Sequence, residues 1–212
     1  MASSRAIEFR GPAGRIEGIL QEAGGPDPRR AALVCHPHPL GGGTMHTKVV
    51  HRTARALAGA GHHVLRFNFR GVGASEGVHD GGPGEREDAR AALAHLKTLH
   101  PDLPVTLAGF SFGAWVGLSV GCEEESVDAT IGIAPPANLF NFAFLMTCPK
   151  TKLFIHGTED TVAPLAAFEP LYKEMPGPKG LVRVAGGTHL LSDHLDQVEA
   201  AVRSFARRLA AG

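Results

Sequence analysis

Short apolar runs alternate with candidate helices along most of the chain. Runs of five or six mostly apolar residues, the length of buried parallel strands, lie at Ala31–Cys35, Val64–Phe69, Val105–Gly109, Ala129–Ala134, Lys152–His156 and Leu181–Ala185. The segments between and after them are predicted helices, at Thr47–Ala60, Glu85–Leu99, Phe112–Cys122, Ala166–Glu174 and Asp193 to about Ala210. This alternation predicts the α/β class, with a mostly parallel, twisted sheet covered by helices on both faces.

The two ends of the chain carry their own patterns. Residues Ile7 to Glu22 alternate weakly around Gly14 and Gly18, which predicts two antiparallel strands joined by a turn. In the last helix, apolar residues recur three and four positions apart behind Ser192, so one face is expected to dock on the sheet. Because no repeat, low-complexity tract or linker interrupts the chain, we predict a single domain over residues 1–212.

The composition excludes several classes of protein. Hydrophobic residues make up 43% and charged residues 20% of the chain, and no apolar run approaches the ~20 residues that cross a bilayer. We therefore expect no membrane partner. The 21 basic and 21 acidic residues cancel, which leaves no basic field for nucleic acid. The first residues lack the charged and apolar regions of a secretory signal, so we expect a cytoplasmic protein.

Cysteine and histidine usage predicts neither a disulfide nor a metal site. The cysteines are odd in number and without CxxC spacing, and are predicted to be free buried thiols: Cys35, Cys122 and Cys148. One stretch is rich in histidine and raises a zinc hypothesis, with His36, His38, His46 and His51. No HExxH spacing occurs there, so we expect no metal and no cofactor, and His36 is expected to brace its loop instead.

The strongest chemical signal is a serine at a strand-to-helix junction. The predicted strand from Val105 runs through Gly109-Phe110-Ser111-Phe112-Gly113 directly into a helix. In a Gly-x-Ser-x-Gly turn of this kind, the glycines let the helix pass close to the strand and the serine hydroxyl is presented above the carboxyl edge of the sheet. Ser111 is therefore a candidate nucleophile.

Two later strand-end turns supply candidate partners in the order that a nucleophile elbow requires, acid before base. Asp160 follows the strand Lys152–His156, and His189 follows the strand Leu181–Ala185. We predict that His189 is the general base and that Asp160 orients it. Neighbouring residues of the same types remain rivals for these roles: His156, Glu159, Asp193 and His194.

From about Ala31 onward the chain resembles the α/β-hydrolase superfamily, and specifically the small bacterial hydrolases akin to dienelactone hydrolase. Cys35-His36-Pro37-His38-Pro39-Leu40-Gly41-Gly42-Gly43 is similar to that group's oxyanion loop, and Asn68 to Gly77 is similar to its Arg-Gly-x-Gly-x-Ser turn. Asp160 and His189 match the superfamily's acid and base positions. Two departures matter: position 111 is serine where dienelactone hydrolases carry cysteine, and Pro37 replaces a usual glycine. The dienelactone substrate is therefore not carried over.

The resemblance implies an acyl-enzyme mechanism with an oxyanion hole. The backbone N–H of Phe112 is one expected donor. Proline has no N–H, so Pro37 and Pro39 are excluded as the second donor, which leaves His38 as the best choice and Leu40 as the alternative. Arg70 and Ser75 in the glycine-rich turn are expected to be structural.

Fewer than twenty residues separate the strands that end near Ala134 and begin near Lys152, too few for a cap domain. We therefore expect an open site whose acyl pocket is lined from this connection, by Phe140, Phe142, Phe144, Leu145 and Met146, although the same residues would also serve to pack it onto the core. The predicted partner is a small-molecule ester of short to medium acyl chain. A thioester, lactone or peptide substrate, or a non-catalytic binding protein of the same fold, remains open. A homodimer is compatible with the sequence but not required by it.

Overall fold

The computed structural model describes residues 3–25 and 28–211, apart from the side chain of Ala211. Its strands form one eight-stranded sheet in the order β1-β2-β4-β3-β5-β6-β7-β8. Their bounds are β1 Ser4–Gly11, β2 Gly14–Gln21, β3 Arg30–Cys35, β4 His62–Phe67, β5 Val105–Phe110, β6 Val127–Ile133, β7 Thr151–Gly157 and β8 Lys179–Val184. β1 pairs antiparallel with β2, and β2 pairs antiparallel with β4. The remaining six strands, β3 to β8, are all parallel to one another, and β3 lies between β4 and β5.

Five α-helices cover the two faces of this sheet. Their bounds are α1 Lys48–Ala58, α2 Pro83–Leu99, α3 Phe112–Glu123, α4 Leu165–Glu174 and α5 Leu195–Ala211. Helices α1 and α5 pack on one face through residues such as Val50 and Val202. Helices α2, α3 and α4 cover the other face, with Leu93, Val116 and Phe168 among the buried contacts. The predicted fold class is confirmed, and each predicted helix is present within two residues of its predicted bounds.

Strand β4 ends two residues earlier than its apolar pattern predicts. β4 stops at Phe67, although the apolar run continues to Phe69. The backbone N–H of Asn68 donates to Glu17 O at 3.0 Å, and that of Phe69 donates to His36 Nε2 at 3.0 Å. These bonds direct the chain out of the sheet ladder and into the turn that follows β4.

The connection between β6 and β7, residues 134–150, contains only a short 3₁₀ turn at Ala143–Met146. No cap domain is inserted at this position within the described chain, as the sequence predicts. The connection packs against α3 and α4 and leaves the carboxyl edge of the parallel strands uncovered.

The prediction of three free cysteines is wrong for two of them. Cys122, in the last turn of α3, forms a disulfide with Cys148, just before β7, with their Cα atoms 5.2 Å apart. Only Cys35, a fully buried residue at the end of β3, is a free cysteine in the described chain. The count and spacing of cysteines carry no signal for this pair, because it is the packing of the β6–β7 connection against α3 that brings the two side chains together.

Within the described residues, no helix has the length and apolar character needed to span a membrane. Disulfides persist mainly in oxidising compartments. Neither the helices nor the Cys122–Cys148 disulfide establishes a cytoplasmic location, which stays a prediction from the sequence.

The turn after β4 is held by charged and hydroxyl side chains. Arg70 forms a bidentate ion pair with the fully buried carboxylate of Asp88 in α2. Its Nε donates to Oδ2 at 3.0 Å and its Nη2 donates to Oδ1 at 2.8 Å. Ser75 Oγ donates to Asn68 O at 2.7 Å and accepts the backbone N–H of Glu17 at 3.1 Å. Arg70 and Ser75 thus tie the turn to α2 and β2, as expected of structural residues.

We expect Asp88→Ala to lower the free energy of unfolding by about 3–5 kcal/mol, because it removes both short bonds to the largely buried Arg70 guanidinium and leaves it only the longer contact to Asp80, 3.6 Å. Urea denaturation followed by circular dichroism measures this change. The matched control is Asp102→Ala, which removes an exposed carboxylate after the same helix. A loss of less than about 1 kcal/mol for Asp88→Ala would show that the pair does not hold the turn.

Candidate active site

Ser111 lies at the sharp turn between β5 and α3, with φ of 53° and ψ of −121°. A positive φ is rare for a residue with a side chain and costs about 1–3 kcal/mol unless the surrounding structure enforces it. Here the Ser111 N–H donates to Ile133 O of β6 at 2.9 Å, which fixes the turn to the neighbouring strand. The turn presents the hydroxyl at the carboxyl edge of the sheet.

The two glycines of the elbow are required by close backbone contacts. A Cβ atom on Gly109 would lie 2.0 Å from Gly113 O, and one on Gly113 would lie 2.3 Å from His36 O. Any side chain at either position would push α3 away from β5 or from the loop after β3. The glycine spacing therefore sets the direction of α3 and the position of Ser111.

The structure brings Ser111, His189 and Asp160 into one hydrogen-bonded chain. His189 Nδ1 lies 2.8 Å from Asp160 Oδ2, and since a carboxylate only accepts, Nδ1–H is the donor. This tautomer leaves Nε2 free to accept the Ser111 hydroxyl, whose Oγ is 2.9 Å away. The turns carrying the acid and the base are joined directly, because the Glu159 N–H donates to Gly187 O at 2.9 Å.

Asp160 is held as a carboxylate aimed at His189. Its Oδ1 accepts the backbone N–H groups of Val162 at 3.0 Å and Ala163 at 2.8 Å, which leaves Oδ2 for the imidazole. Burial by itself raises the pKa of Asp160, but the bonds from His189 and Ala163 outweigh it and hold the pKa below its usual value. The group is therefore ionised near neutral pH.

The rival residues lie elsewhere. His156 is buried and donates from Nε2 to Ala163 O at 2.6 Å, so it holds the turn around Asp160 rather than facing the serine. Burial is the main cause that lowers the pKa of His156. Glu159 and Asp193 are exposed. Asp193 and His194 belong to a separate 3₁₀ turn, Ser192–His194, ahead of α5.

Phe112 and His38 both line the cavity beside Ser111, and their backbone N–H groups have no hydrogen-bond partner in the described chain. Phe112 opens α3, where the helix dipole favours negative charge. The N–H of Leu40 already donates to His38 Nδ1 at 3.2 Å, and its side chain is exposed outside this cavity. The geometry thus favours His38 over Leu40 as the second oxyanion donor.

His36 anchors the loop that carries His38. Its Nδ1–H donates to Pro37 O at 2.6 Å, and its Nε2 accepts the N–H of Phe69 at 3.0 Å. Burial lowers the pKa of His36 to about 4, so the ring is neutral at pH 7, as the two bonds require. The side chain links the loop after β3 to the turn after β4.

An open cavity of about 450 Å³ surrounds the Ser111 hydroxyl. Its lining is almost entirely apolar and includes Pro37, His38, Gly41, Phe110, Ser111, Phe112, Pro136, Leu139, Phe140, Val162, His189 and Leu190. A larger depression of about 590 Å³ lies on the outer surface of α1 and α5 and contains none of the candidate catalytic groups. The candidate catalytic groups and the apolar cavity therefore lie together at the carboxyl edge of the sheet.

Comparison with known proteins now decides the family. Residues 26–149 match the family described as serine aminopeptidase, S33, over more than half of the chain, including the elbow but not Asp160 or His189. The chain belongs to this family. It is a serine hydrolase of the α/β-hydrolase superfamily, whereas the narrower likeness to dienelactone hydrolases stays a prediction.

Individual relatives resemble the hydrolase over nearly its whole length. An uncharacterized protein of Rickettsia prowazekii (strain Madrid E) is 37% identical over 182 residues, which cover 84% of this chain and 76% of the relative. A putative α/β-hydrolase of unknown function from Agrobacterium tumefaciens is 34% identical, with a TM-score of 0.90 and coverage of 98% and 97%. A serine hydrolase without a lid from Xanthomonas campestris is also 34% identical, with a TM-score of 0.90 and coverage of 98% and 95%.

Of the five residues predicted to line the acyl pocket of this hydrolase, the structure places only Phe140 in the cavity wall. The other four pack against α3 and α4 and are corrected to core or supporting positions: Phe142, Phe144, Leu145 and Met146. The 3₁₀ turn at Ala143–Met146 directs these side chains towards α3 and α4, and Phe142 and Leu145 are fully buried. Local sequence does not show which face of so short a turn is inward.

Sequence reasoning missed most of the cavity wall. Leu139, Val162 and Leu190 each lie beside or near a predicted functional residue on a strand-end turn. The available signal was that each of these apolar residues stands within two positions of a residue already predicted to function. Phe110, adjacent to the serine, is buried and also contributes to the wall.

The described residues contain one group with metal-ligand spacing, Glu22, His63 and His100, whose ligand atoms lie within 4.8 Å of one another. It sits at the amino edge of the sheet, opposite the serine, and His63 Nδ1 is already paired with Glu22 Oε2 at 2.6 Å. None of the histidines in the stretch from His36 to His51 belongs to it.

The pKa of His36 predicts a pH dependence of stability. Between its ordinary value of 6.5 and about 4, unfolded His36 binds a proton that the folded protein excludes, so the free energy of unfolding falls as the pH is lowered through this interval. The total effect of such a shift is about 3 kcal/mol. We expect His36→Gln to flatten the profile by up to that amount.

Urea midpoints between pH 4.5 and 7.5 measure the two profiles. The control is His46→Gln, which replaces an exposed histidine of the same loop. Profiles for the native protein and His36→Gln that stay parallel over the whole range would contradict the assignment of a neutral, buried His36.

Proposed function

We propose that this serine hydrolase cleaves carboxylic esters of short to medium acyl chain through an acyl-enzyme intermediate. The observation that carries the proposal is the chain of hydrogen bonds from Ser111 Oγ to His189 Nε2, 2.9 Å, and from His189 Nδ1 to Asp160 Oδ2, 2.8 Å. This arrangement supplies a nucleophile, a base and a group that orients the base, which are the parts that acyl transfer needs.

In the first half-reaction, Ser111 Oγ attacks the ester carbonyl carbon while His189 Nε2 takes the hydroxyl proton. The imidazolium that forms is stabilised by the Asp160 carboxylate, whose low pKa keeps it charged. His189 then returns the proton to the leaving alkoxide as the carbon–oxygen bond breaks. Water then attacks the acyl carbon while His189 takes a proton from it. The bond from the acyl carbon to Ser111 Oγ breaks, Oγ regains the proton from His189, and the carboxylic acid leaves.

The N–H groups of Phe112 and His38 are the proposed oxyanion donors. Because neither has a hydrogen-bond partner within the described chain, both are free to bind the negative oxygen of the tetrahedral intermediate. One such donor contributes roughly 3 kcal/mol of transition-state stabilisation. The bracing of the loop by His36 supports the role of His38, since it holds the donor in place before the substrate arrives.

The wall of the cavity favours an ester over a free amino-terminal peptide. The family description raises the peptidase alternative, and an aminopeptidase must hold the α-ammonium group of its substrate. Within the described part of the chain, no Asp or Glu side chain lines the 450 Å³ cavity, and ordinary apolar side chains make up most of its surface. Burying an unpaired ammonium there would be costly, whereas an acyl chain fits the same wall.

We expect Ser111→Ala to lower kcat for a short-chain aryl ester by about 10⁶ and Asp160→Asn by about 10⁴, since the first removes the nucleophile and the second favours the wrong imidazole tautomer. Release of the aryl alcohol measures both rates, and a fluorophosphonate probe should label the native protein but not Ser111→Ala. The matched control is Asp193→Asn, which changes an exposed carboxylate nearby. Negligible rates on every ester of a series of rising acyl length, alongside cleavage of aminoacyl anilides, would replace the esterase proposal with the peptidase one.

Phe140 and Phe144 form a matched pair for testing the acyl pocket, since both lie on the same connection but only Phe140 lines the cavity. We expect Phe140→Ala to shift the best acyl chain of the series to a longer or bulkier group and to raise KM for the short ones several-fold. Phe144→Ala should change stability but leave the chain-length profile in place. An unchanged profile in Phe140→Ala would remove this residue from the substrate pocket.

A further inference from the structure

Large hydrophobic side chains are exposed almost only around the candidate active site. Of the six that the described residues expose, five lie on turns at the carboxyl ends of strands: Leu40 80%, Val78 80%, Leu139 60%, Leu190 59% and Val162 51%. The sixth, Leu99, ends α2 at the opposite edge of the sheet. We call the five residues the apolar rim. They come from five different turns, so only the fold gathers them at this edge.

The apolar rim borders two neighbouring cavities. Leu139, Val162 and Leu190 line the cavity that contains Ser111. Leu40 and Val78 line a second cavity of about 480 Å³ on the other side of the loop after β3. The two cavities share that loop, because Pro37 and His38 face the first and Pro39 and Leu40 face the second. The rim therefore extends from the serine across the oxyanion loop.

No Asp, Glu, Lys or Arg lines either cavity within the described part of the chain. A surface that bound anionic lipid would present Lys or Arg side chains at its contact face. An apolar surface of this kind on a soluble protein marks an interaction site, and the connection between β6 and β7 is too short to cover it. The rim is thus matched to an uncharged apolar partner from outside the chain.

We propose that the apolar rim docks on the surface of an aggregate of neutral amphiphilic esters, and that this contact brings the ester group of a single molecule to Ser111. The inference rests on the proposed esterase function. Three of the five rim residues line the cavity of the nucleophile, so a partner that covers them without supplying a scissile bond would block the site. An aggregated substrate satisfies both the apolar surface and the chemistry. For this one surface, the proposal replaces the expectation of no membrane partner.

Vesicles of phosphatidylcholine, which carry no net charge, test the docking step. Ser111→Ala is used throughout, so that hydrolysis does not consume the lipid, and binding is measured by co-flotation. The test variant adds Leu40→Ser and Val78→Ser, and the matched control adds Leu99→Ser instead. We expect Ser111→Ala to bind, the Leu40→Ser/Val78→Ser variant to bind at least about tenfold more weakly, and the Leu99→Ser variant to bind like its parent.

Four results would overturn the inference. They are no binding of Ser111→Ala to the neutral vesicles, equal loss in the Leu99→Ser control, binding only to vesicles containing phosphatidylglycerol, and a dimer by light scattering that the Leu40→Ser/Val78→Ser changes dissolve. The last would assign the rim to a second copy of the chain. Thermal unfolding of each variant establishes that the fold is intact.

The docking proposal and the esterase proposal fail in different assays. Fluorophosphonate labelling and hydrolysis of a dissolved short-chain ester test the catalytic groups without any aggregate. If both are positive and vesicle binding is absent, only the docking proposal fails. If docking occurs but labelling and hydrolysis are absent, the esterase function fails, and the rim is then a binding surface without the proposed chemistry.

Discussion

The site depends on how closely helix α3 passes strand β5. The strained Ser111 backbone is possible because Gly109 and Gly113 carry no Cβ, since the added atoms would lie 2.0 and 2.3 Å from neighbouring carbonyl oxygens. The contact places the serine hydroxyl at the edge of the sheet and the first N–H groups of α3 behind it. The bond from Ser111 N–H to Ile133 O then ties the turn to β6, so the strain is held by two strands rather than by the turn alone.

Parallel strands bring the remaining groups to the same edge. Asp160 and His189 follow β7 and β8, and bonds between their turns fix their separation before any substrate binds. On the other side of the serine, His36 ties the loop after β3 to the turn after β4. The buried Arg70–Asp88 pair holds that turn to α2. The candidate catalytic groups are therefore supported by a network of bonds that reaches from β2 to β8.

Because the β6–β7 connection carries no cap, the apolar side chains at the carboxyl edge of the sheet stay exposed. The connection buries most of its aromatic side chains against α3 and α4 and contributes only Leu139, Phe140 and Pro136 to the cavity wall. The disulfide between Cys122 and Cys148 joins the end of this connection to α3. What remains exposed is an apolar rim around a polar reaction centre, a combination that suits an ester whose reactive group is small and whose bulk is hydrophobic.

Local patterns in the sequence were enough to predict the fold class, the elbow and the chain order of the candidate acid and base. These patterns are apolar runs of strand length, glycines at fixed spacing, and a carboxylate and a histidine after successive strands. It pointed to His38 by excluding prolines, but the hydrogen bond that occupies the Leu40 N–H is visible only in the folded loop.

Three features could be seen only in the folded protein: which side chains face the cavity, the pairing of Cys122 with Cys148, and the gathering of five separate turns into one rim. These features join residues that are distant in the chain. The direction of each of these side chains is set by packing, and the spacing of residue types along the chain carries no information about that packing.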